Sequence, residues 1–308
     1  MKKCILIYNP RSGKSKKLFK NRALDRIALD YNYKLIYQKT KTEADATNIV
    51  KDLDDVDLVV AIGGDGTIHE VIEGNLKRDK QLLLGHLPQG TVNDVGKMYG
   101  YSRNIESDFK MLLEGVKKRI DVGMLNDSPF IYVACFGNFV NVSFDTPRYL
   151  KEKYGKFGYF IYALKKFRRN MDLYNIEYTT DGITRTGEFS FILITNSDRI
   201  AGFNNIYKDV KLDDDKFEVV LCKATSIKEI ISILSSVLYD KVTNTNNVIY
   251  FKTDNLTVKF LDKPKDDWCL DGERLNSKSL DYTFKIDHNN EMLVPIKKLH
   301  KLFGEVNK

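Results

Sequence analysis

Residues 57–71, DLVVAIGGDGTIHEV, carry the reading that decides the fold. The apolar run Leu58 to Ile62 reads as the strongest strand of the chain, it breaks at Gly63-Gly64, and a helical pattern opens at Gly66-Thr67. Paired glycines let the backbone come close to a ligand. Asp65 falls at the strand's C-terminal end, and the helix start that follows favours anionic groups. In open α/β sheets, ligands bind in the crevice beyond such strand ends. The plain alternative is a tight strand-to-helix turn, although such a turn rarely needs Gly-Gly-Asp-Gly together.

The same rhythm extends to both sides. CILIY (4–8), KLIYQKT (34–40) and LLLGHLP (82–88) are apolar runs, each followed by a helix-like stretch, up to Gly115. Strands alternating with helices predict parallel βαβ units and a layered α/β domain over residues 1–123. Beyond Val122 the pattern changes. FIYVACFG, YNIEYTTDG, GEFSFILITNS, KFEVVLCK, NVIYFKTDNLTVKFL and LDYTFKIDH read as strands separated by turn residues. They predict a mostly antiparallel β-sandwich domain over 124–290, with helical insertions near 148–170 and 226–239. EMLVPIKKLHKLFG predicts a C-terminal helix within 291–308.

The 308 residues, 43% hydrophobic and 30% charged, fit two globular domains and exclude a mainly disordered or fibrous chain. No apolar stretch approaches the roughly 18–20 residues of a membrane span. The N-terminal apolar run has five residues, below the ~7–15 of a secretory signal. A soluble, cytoplasmic protein is expected. Cys4, Cys135, Cys222 and Cys269 are far apart in sequence without CxxC spacing, so reduced thiols are expected rather than a zinc site or a disulfide scaffold. The net charge of +7 points to an acidic partner. Residues 148–169 alone carry eight basic residues and one acid.

Three further motifs bear on chemistry. NPRSGK (9–14) follows the first strand and resembles a phosphate-accepting loop, but it lacks GxxxxGK[ST] and equally fits a simple turn. LPQGTVNDVG (87–96) makes a second glycine turn after an apolar strand, with Thr91 or Asn93 a candidate cap for the next helix. WCLDGERL (268–275) holds Asp271-Gly272, a common hairpin turn, and Glu273, a candidate general base.

NPRSGK, GGDGTIHEV, LPQGTVNDVG and DGE, in this order, resemble the diacylglycerol kinase catalytic family, in its soluble bacterial diacylglycerol and lipid kinase branch. The resemblance runs through nearly the whole chain, including DVGM (121–124), ITNSDRIAGF and KLDDDKFEVV (211–220). It implies an ATP- and Mg²⁺-dependent kinase acting in a cleft between two domains. ATP would contact Asn9, Pro10, Arg11, Ser12 and Gly13, then Thr40, the segment Gly64, Asp65, Gly66, Thr67, Ile68, His69 and Glu70, and Thr91. Glu273 would accept the proton of the lipid hydroxyl, while Asp65, Asp94 and Asp121 would stand near the phosphates and the catalytic magnesium. A structural Mg²⁺ would sit on Asp214 and the carbonyls of Lys211 and Lys216. Asp215 stands there where the family usually has Gly, and His69 where it often has Asn. Phosphoryl transfer needs positioning, charge neutralisation and a base, which carboxylates and oriented N–H groups provide.

Residues 147–170 interleave eight Lys/Arg with seven Tyr/Phe, as a helix lying on an anionic membrane would, or one packing its aromatic stripe on the β domain. No nucleic-acid motif accompanies the charge. The expected reaction is diacylglycerol to phosphatidic acid, a step of phospholipid biosynthesis. Alternatives are a sphingoid base, monoacylglycerol or phosphatidylglycerol as acceptor, then NAD kinase, and then a nucleotide-binding regulator without catalysis. An exposed sheet edge would also suit a homodimer.

Overall fold

The computed structural model describes residues 1–10, 23–42, 44–91, 93–137, 171–197, 199–200, 203–204, 206–275 and 279–304. The chain forms two compact units, one of residues 1–122, 211–214 and 287–308, the other of 123–210 and 215–286.

The first unit alternates strands and helices: β1 (Lys2–Tyr8), α1 (Ala23–Asp30), β2 (Tyr33–Lys39), α2 (Asp45–Lys51), β3 (Leu58–Gly63), α3 (Asp65–Leu76), β4 (Leu84–Pro88), α4 (Asp94–Met98), α5 (Ile105–Leu113) and β5 (Val116–Leu125), which runs on into the second unit. The strands pair in parallel in the order β2-β1-β3-β4. All six residues of β3 are buried, as a central parallel strand covered on both faces requires. At the sheet edge, β2 is mostly exposed. Asn104 caps α5, its side chain accepting from Ser107 N at 3.1 Å.

The second unit is antiparallel. Its strands are β6 (Ser128–Phe130), β7 (Val133–Gly137), β8 (Tyr174–Thr180), β9 (Ile183–Phe189), β10 (Phe191–Thr195), β11 (Arg199–Ile200), β12 (Phe203–Asn204), β13 (Phe217–Cys222), β14 (Val248–Thr253), β15 (Leu256–Phe260), β16 (Trp268–Leu270), β17 (Glu273–Arg274) and the first part of β18 (Asp281–Val294), and α6 (Ile227–Asp240) lies between β13 and β14. One layer has the order β18-β15-β8-β9 and the other β14-β13-β10-β7-β16-β17. Between them lie Phe136, Ile176, Ile194, Val219, Val258 and Phe284, with the Trp268 ring tilted against Phe284 and Phe136 at centroid distances of 5.0 Å and 5.3 Å. This is the expected sandwich core. The expected insertion at 226–239 is α6, whereas that at 148–170 lies outside the described residues.

Residues 291–294 are strand rather than helix. At the end of β18 every second residue is buried (Asn290, Met292, Val294), and Met292 pairs in parallel with Leu84 of β4. Pro295 ends the strand, and only a 3₁₀ turn (Ile296–Lys298) and α7 (Leu299–Leu302) follow. This tail packs with the first unit. Leu212 N donates to Leu302 O at 2.8 Å, Gly304 N to Asp213 Oδ1 at 2.7 Å, and Lys211 Nζ to His300 O at 3.0 Å. The segments 211–214 and 287–290 therefore belong with residues 1–122 and interrupt the expected 124–290 domain.

Candidate active site

Four neighbouring strands end on one edge of the parallel sheet. Register pairs Tyr8 with Lys39 and Ile62, and Gly63 with Pro88. Asn9, Thr40, Gly64 and Gln89 therefore each follow the C-terminal end of a strand, where an open α/β sheet binds ligands. Thr40 N donates to Tyr8 O at 2.9 Å, fixing the first two of these ends together. Arg11, Ser12 and Gly13 lie outside the described residues.

The two glycine turns are built onto each other. A Cβ on Gly90 would lie 2.4 Å from Gly64 Cα, so only glycine lets these backbones touch. Gly63 meets Thr67 instead, since a Cβ there would sit 2.2 Å from Thr67 Oγ1. The glycines expected to admit a ligand thus also admit each other. Gln89 N donates to Gly63 O at 2.7 Å. His86, fully buried beneath them, places Nε2 3.4 Å from the same carbonyl, and burial pushes its pKa down to about 4.

Asp65 joins the turns by charge. Its Oδ2 accepts Asp94 N at 3.0 Å and its Oδ1 accepts Val95 N at 3.1 Å, so it serves as the N-terminal cap of α4 from another loop. The side chain of Asn93 does not cap that helix. Asn93 sits in a left-handed conformation (φ 53°) and folds back on Gly90, with Oδ1 accepting Gly90 N at 2.8 Å and Nδ2 donating to Gly90 O at 2.7 Å. Thr91 is exposed, and its carbonyl accepts Arg103 Nη2 at 2.7 Å. Arg103 is itself held by the buried Asp108, which accepts Arg103 N and Ser102 N, each at 2.8 Å. Sequence reasoning missed Arg103, whose role depends on a tertiary contact.

Along α3, Gly64 caps the helix without a side-chain bond, and Ile68 is fully buried, leaving it only its backbone to offer a ligand. Glu70 binds α2, accepting Ala46 N at 3.1 Å. His69 is partly exposed on the first turns.

Asp94 and Asp121 are both buried. Asp121 N donates to Leu212 O at 2.7 Å, and its carboxylate lies 3.5 Å from His288 Nδ1 and 3.8 Å from Arg119 Nη2. His288 carries no motif, and β18 brings it to Asp121. In the acidic loop, Asp215 adopts φ 61°, so an aspartate takes the left-handed conformation that glycine would otherwise take. Lys211 and Asp214 are half-buried there.

In the second unit the Asp271-Gly272 hairpin is present, with φ of 51° and 97° at the two turn residues and Leu270 paired with Glu273. Asp271 is an anchor. Its carboxylate accepts Ile131 N (2.7 Å), Tyr132 N (3.0 Å) and Val133 N (3.1 Å). Glu273 projects from the turn exposed.

The diacylglycerol kinase catalytic domain model matches residues 3–125. A diacylglycerol kinase of Bacillus subtilis (strain 168) is 30% identical over 279 residues, covering 89% of this chain and 90% of its own. One of Staphylococcus aureus (strain JH9) is 32% identical over 270 residues, covering 83% and 82%. The chain belongs to the diacylglycerol kinase family. It is accordingly a lipid kinase, a phosphotransferase with an alcohol acceptor. A solved structure from Bacillus anthracis str. Sterne aligns with a TM-score of 0.78 at 22% identity, covering 97% of this chain and 99% of that one. A diacylglycerol kinase structure from the same organism gives 0.73 at 19%, covering 97% and 98%. These two likenesses speak for the fold, which this family member shares. No helix among the described residues is long and apolar enough to cross a membrane.

Proposed function

We propose that this family member transfers the γ-phosphoryl group of ATP to the hydroxyl of diacylglycerol, giving phosphatidic acid. The observation that carries the reading is the strand-end junction at which Gly64 backs onto Gly90 and Asp65 caps α4. That junction fits a nucleotide. Gly64 and Gly90 are both partly exposed there, α3 begins without a side-chain cap, and Thr40 and Thr91 stand at the same edge. Asn9 to Gly13, Thr40, the segment Gly64 to Glu70 and Thr91 would bind ATP, through backbone amides more than through side chains in the case of Ile68. No Walker lysine is available, so oriented N–H groups carry much of the phosphate recognition.

The donor set also suits a hard divalent cation, because Asp65, Asp94 and Asp121 are carboxylates on or beside this crevice's loops. Bound there, Mg²⁺ would neutralise charge developing on the phosphates. Asp214 with the carbonyls of Lys211 and Lys216 would hold a second cation, and Asp215 beside them adopts the left-handed region that glycine enters freely. Glu273 is assigned as the base. It takes the hydroxyl proton as the oxygen attacks phosphorus, and the Asp271 anchor holds its turn rigid. The basic aromatic segment 147–170 supports docking at an anionic lipid surface, from which the acceptor is drawn.

The test is transfer of labelled γ-phosphate from ATP and Mg²⁺ to diacylglycerol, monoacylglycerol, phosphatidylglycerol, ceramide, sphingosine and NAD, the lipids in mixed micelles with anionic phospholipid. Labelled phosphatidic acid supports the reading. Label on another lipid moves the acceptor within the family, and label on NAD alone overturns it.

A further inference from the structure

Two of the four cysteines, 134 residues apart, meet across a sheet. Cys135 of β7 and Cys269 of β16 are directly opposite in antiparallel register. Their flanking pairs, Ala134 with Leu270 and Phe136 with Trp268, fill the sandwich core, so both thiols project from the other face of the same sheet. Cys135 is half-buried and Cys269 is buried. Contact with Cys135 and the backbone N–H of Gly272 both favour charge on the Cys269 sulfur, against the desolvation that burial imposes. The sulfur beside an N–H donor is the one that forms the thiolate in the step below. Neither Cys4 nor Cys222 faces another cysteine in register.

We propose that Cys135 and Cys269 form an oxidation site for a peroxide, and that the disulfide they make lowers kinase turnover by displacing the turn that carries Glu273. The thiolate of Cys269 attacks one peroxide oxygen and breaks the O–O bond, giving a sulfenic acid and hydroxide. Cys135 then attacks that sulfur, the S–O bond breaks, and water leaves. In total, two thiols and hydrogen peroxide give one disulfide and two waters. Oxidation reaches the turn in two ways. The sulfur that holds Gly272 N–H loses its thiolate charge. Opposed Cβ atoms about 4.5–5.5 Å apart must also close to about 3.8 Å. That draws β16 inward four residues before Glu273. A displacement of about 1 Å at a reacting group can cost on the order of a hundredfold in rate. The loss of turnover rests on Glu273 as the base, while the oxidation itself does not.

The full-length protein, reduced and then treated with hydrogen peroxide, would be alkylated and peptide-mapped, and its turnover of diacylglycerol measured before and after dithiothreitol. Expected are a linked peptide pair containing Cys135 and Cys269, a mass loss of about 2 Da from the two departed hydrogens, Cys4 and Cys222 still alkylated, and turnover down at least tenfold until reduced. Cys135→Ser should neither link nor lose activity, and Cys135→Ala repeats the control should serine disturb the strand. Absence of the link, or links to other cysteines, overturns the site. A complete link with unchanged turnover overturns the control of activity. Equal inactivation of the Cys135 variants assigns the loss to another oxidised residue and overturns it as well. The linked-peptide readout stands even if Glu273→Gln proves fully active, which separates failure of this site from failure of the base assignment.

Discussion

Asp65-Gly66 and Asp271-Gly272 look alike in sequence and do different work. Asp65 opens a 12-residue helix and spends both oxygens on the first amides of another helix, joining two loops of one crevice. Asp271 sits left-handed in a two-residue hairpin and spends its oxygens on three successive amides of residues 131–133. Each aspartate is a backbone anchor. What differs is what the anchor holds still, the junction of two glycine turns in one case and the hairpin that bears Glu273 in the other. The Glu273 carboxylate makes no hydrogen bond among the described residues. An acid beside a glycine thus says little about reactivity until its amide partners are counted.

The sharpest break of this comparison is at Glu273. Glu273→Gln should lower kcat about a thousandfold, within the range for loss of a general base, with ATP affinity and melting temperature unchanged, since the side chain is exposed. Turnover within threefold of the parent would reassign the base. Next is Gly90→Ala. Its Cβ would collide with backbone, Gly64 Cα at 2.4 Å, so the two loops must part. ATP binding by calorimetry should weaken at least tenfold while the second unit's hairpin is untouched. Unaltered affinity would separate the loop junction from nucleotide binding.

Third is stability. Asp271→Ala strands three amides in fully buried bonds, and Asp65→Ala two amides whose bonds to the partly exposed carboxylate are only part-buried. At roughly 1–3 kcal/mol for each unsatisfied buried group, less when solvent reaches it, Asp271→Ala should cost about 4 kcal/mol and Asp65→Ala about 2. Denaturant titration of both variants measures the order, and a reversed order would mean that water replaces the carboxylate at residues 131–133.

Much of the layout was legible because it is local. Apolar runs ending in glycine turns marked the parallel strands and the edge they share, and DG marked the hairpin. The rest depends on which distant residue a chain position meets. No period reveals that Asp65 caps α4, that Asn93 turns back on Gly90, or that Cys135 faces Cys269, because sheet register sets these pairs. Asp215 shows another limit. Nothing in the pattern KLDDDKF marks which of its aspartates takes the left-handed region, and Asp215 does so at φ 61°. The tail misled for a physical reason, since Met292, Ile296 and Leu299 fit a helical period as well as Asn290, Met292 and Val294 fit a strand, and pairing with β4 decided it.

A further effect is a dependence on pH from the histidine beneath the crevice. His86 lies in an apolar stretch, GHLP, that gives no sign of a titrating group, and burial holds it neutral with a pKa of about 4 against 6.5 when exposed. Above pH 6.5 it is neutral in folded and unfolded chains alike and contributes nothing to pH dependence. As pH falls below 6.5 the unfolded chain takes up a proton that the folded one refuses, so stability falls until the folded form also protonates near pH 4. At 1.36 kcal/mol per pKa unit the full loss is about 3 kcal/mol. Urea unfolding at pH 7.5 and pH 4.5 should show most of that difference in the parent, on top of the carboxylate background, and less of it in His86→Gln. The glutamine cannot charge, and its amide can still reach toward the Gly63 carbonyl. An identical pH slope in both proteins would mean that the folded crevice admits a charged imidazole, and that the floor beneath Gly63 is wetter than its packing implies.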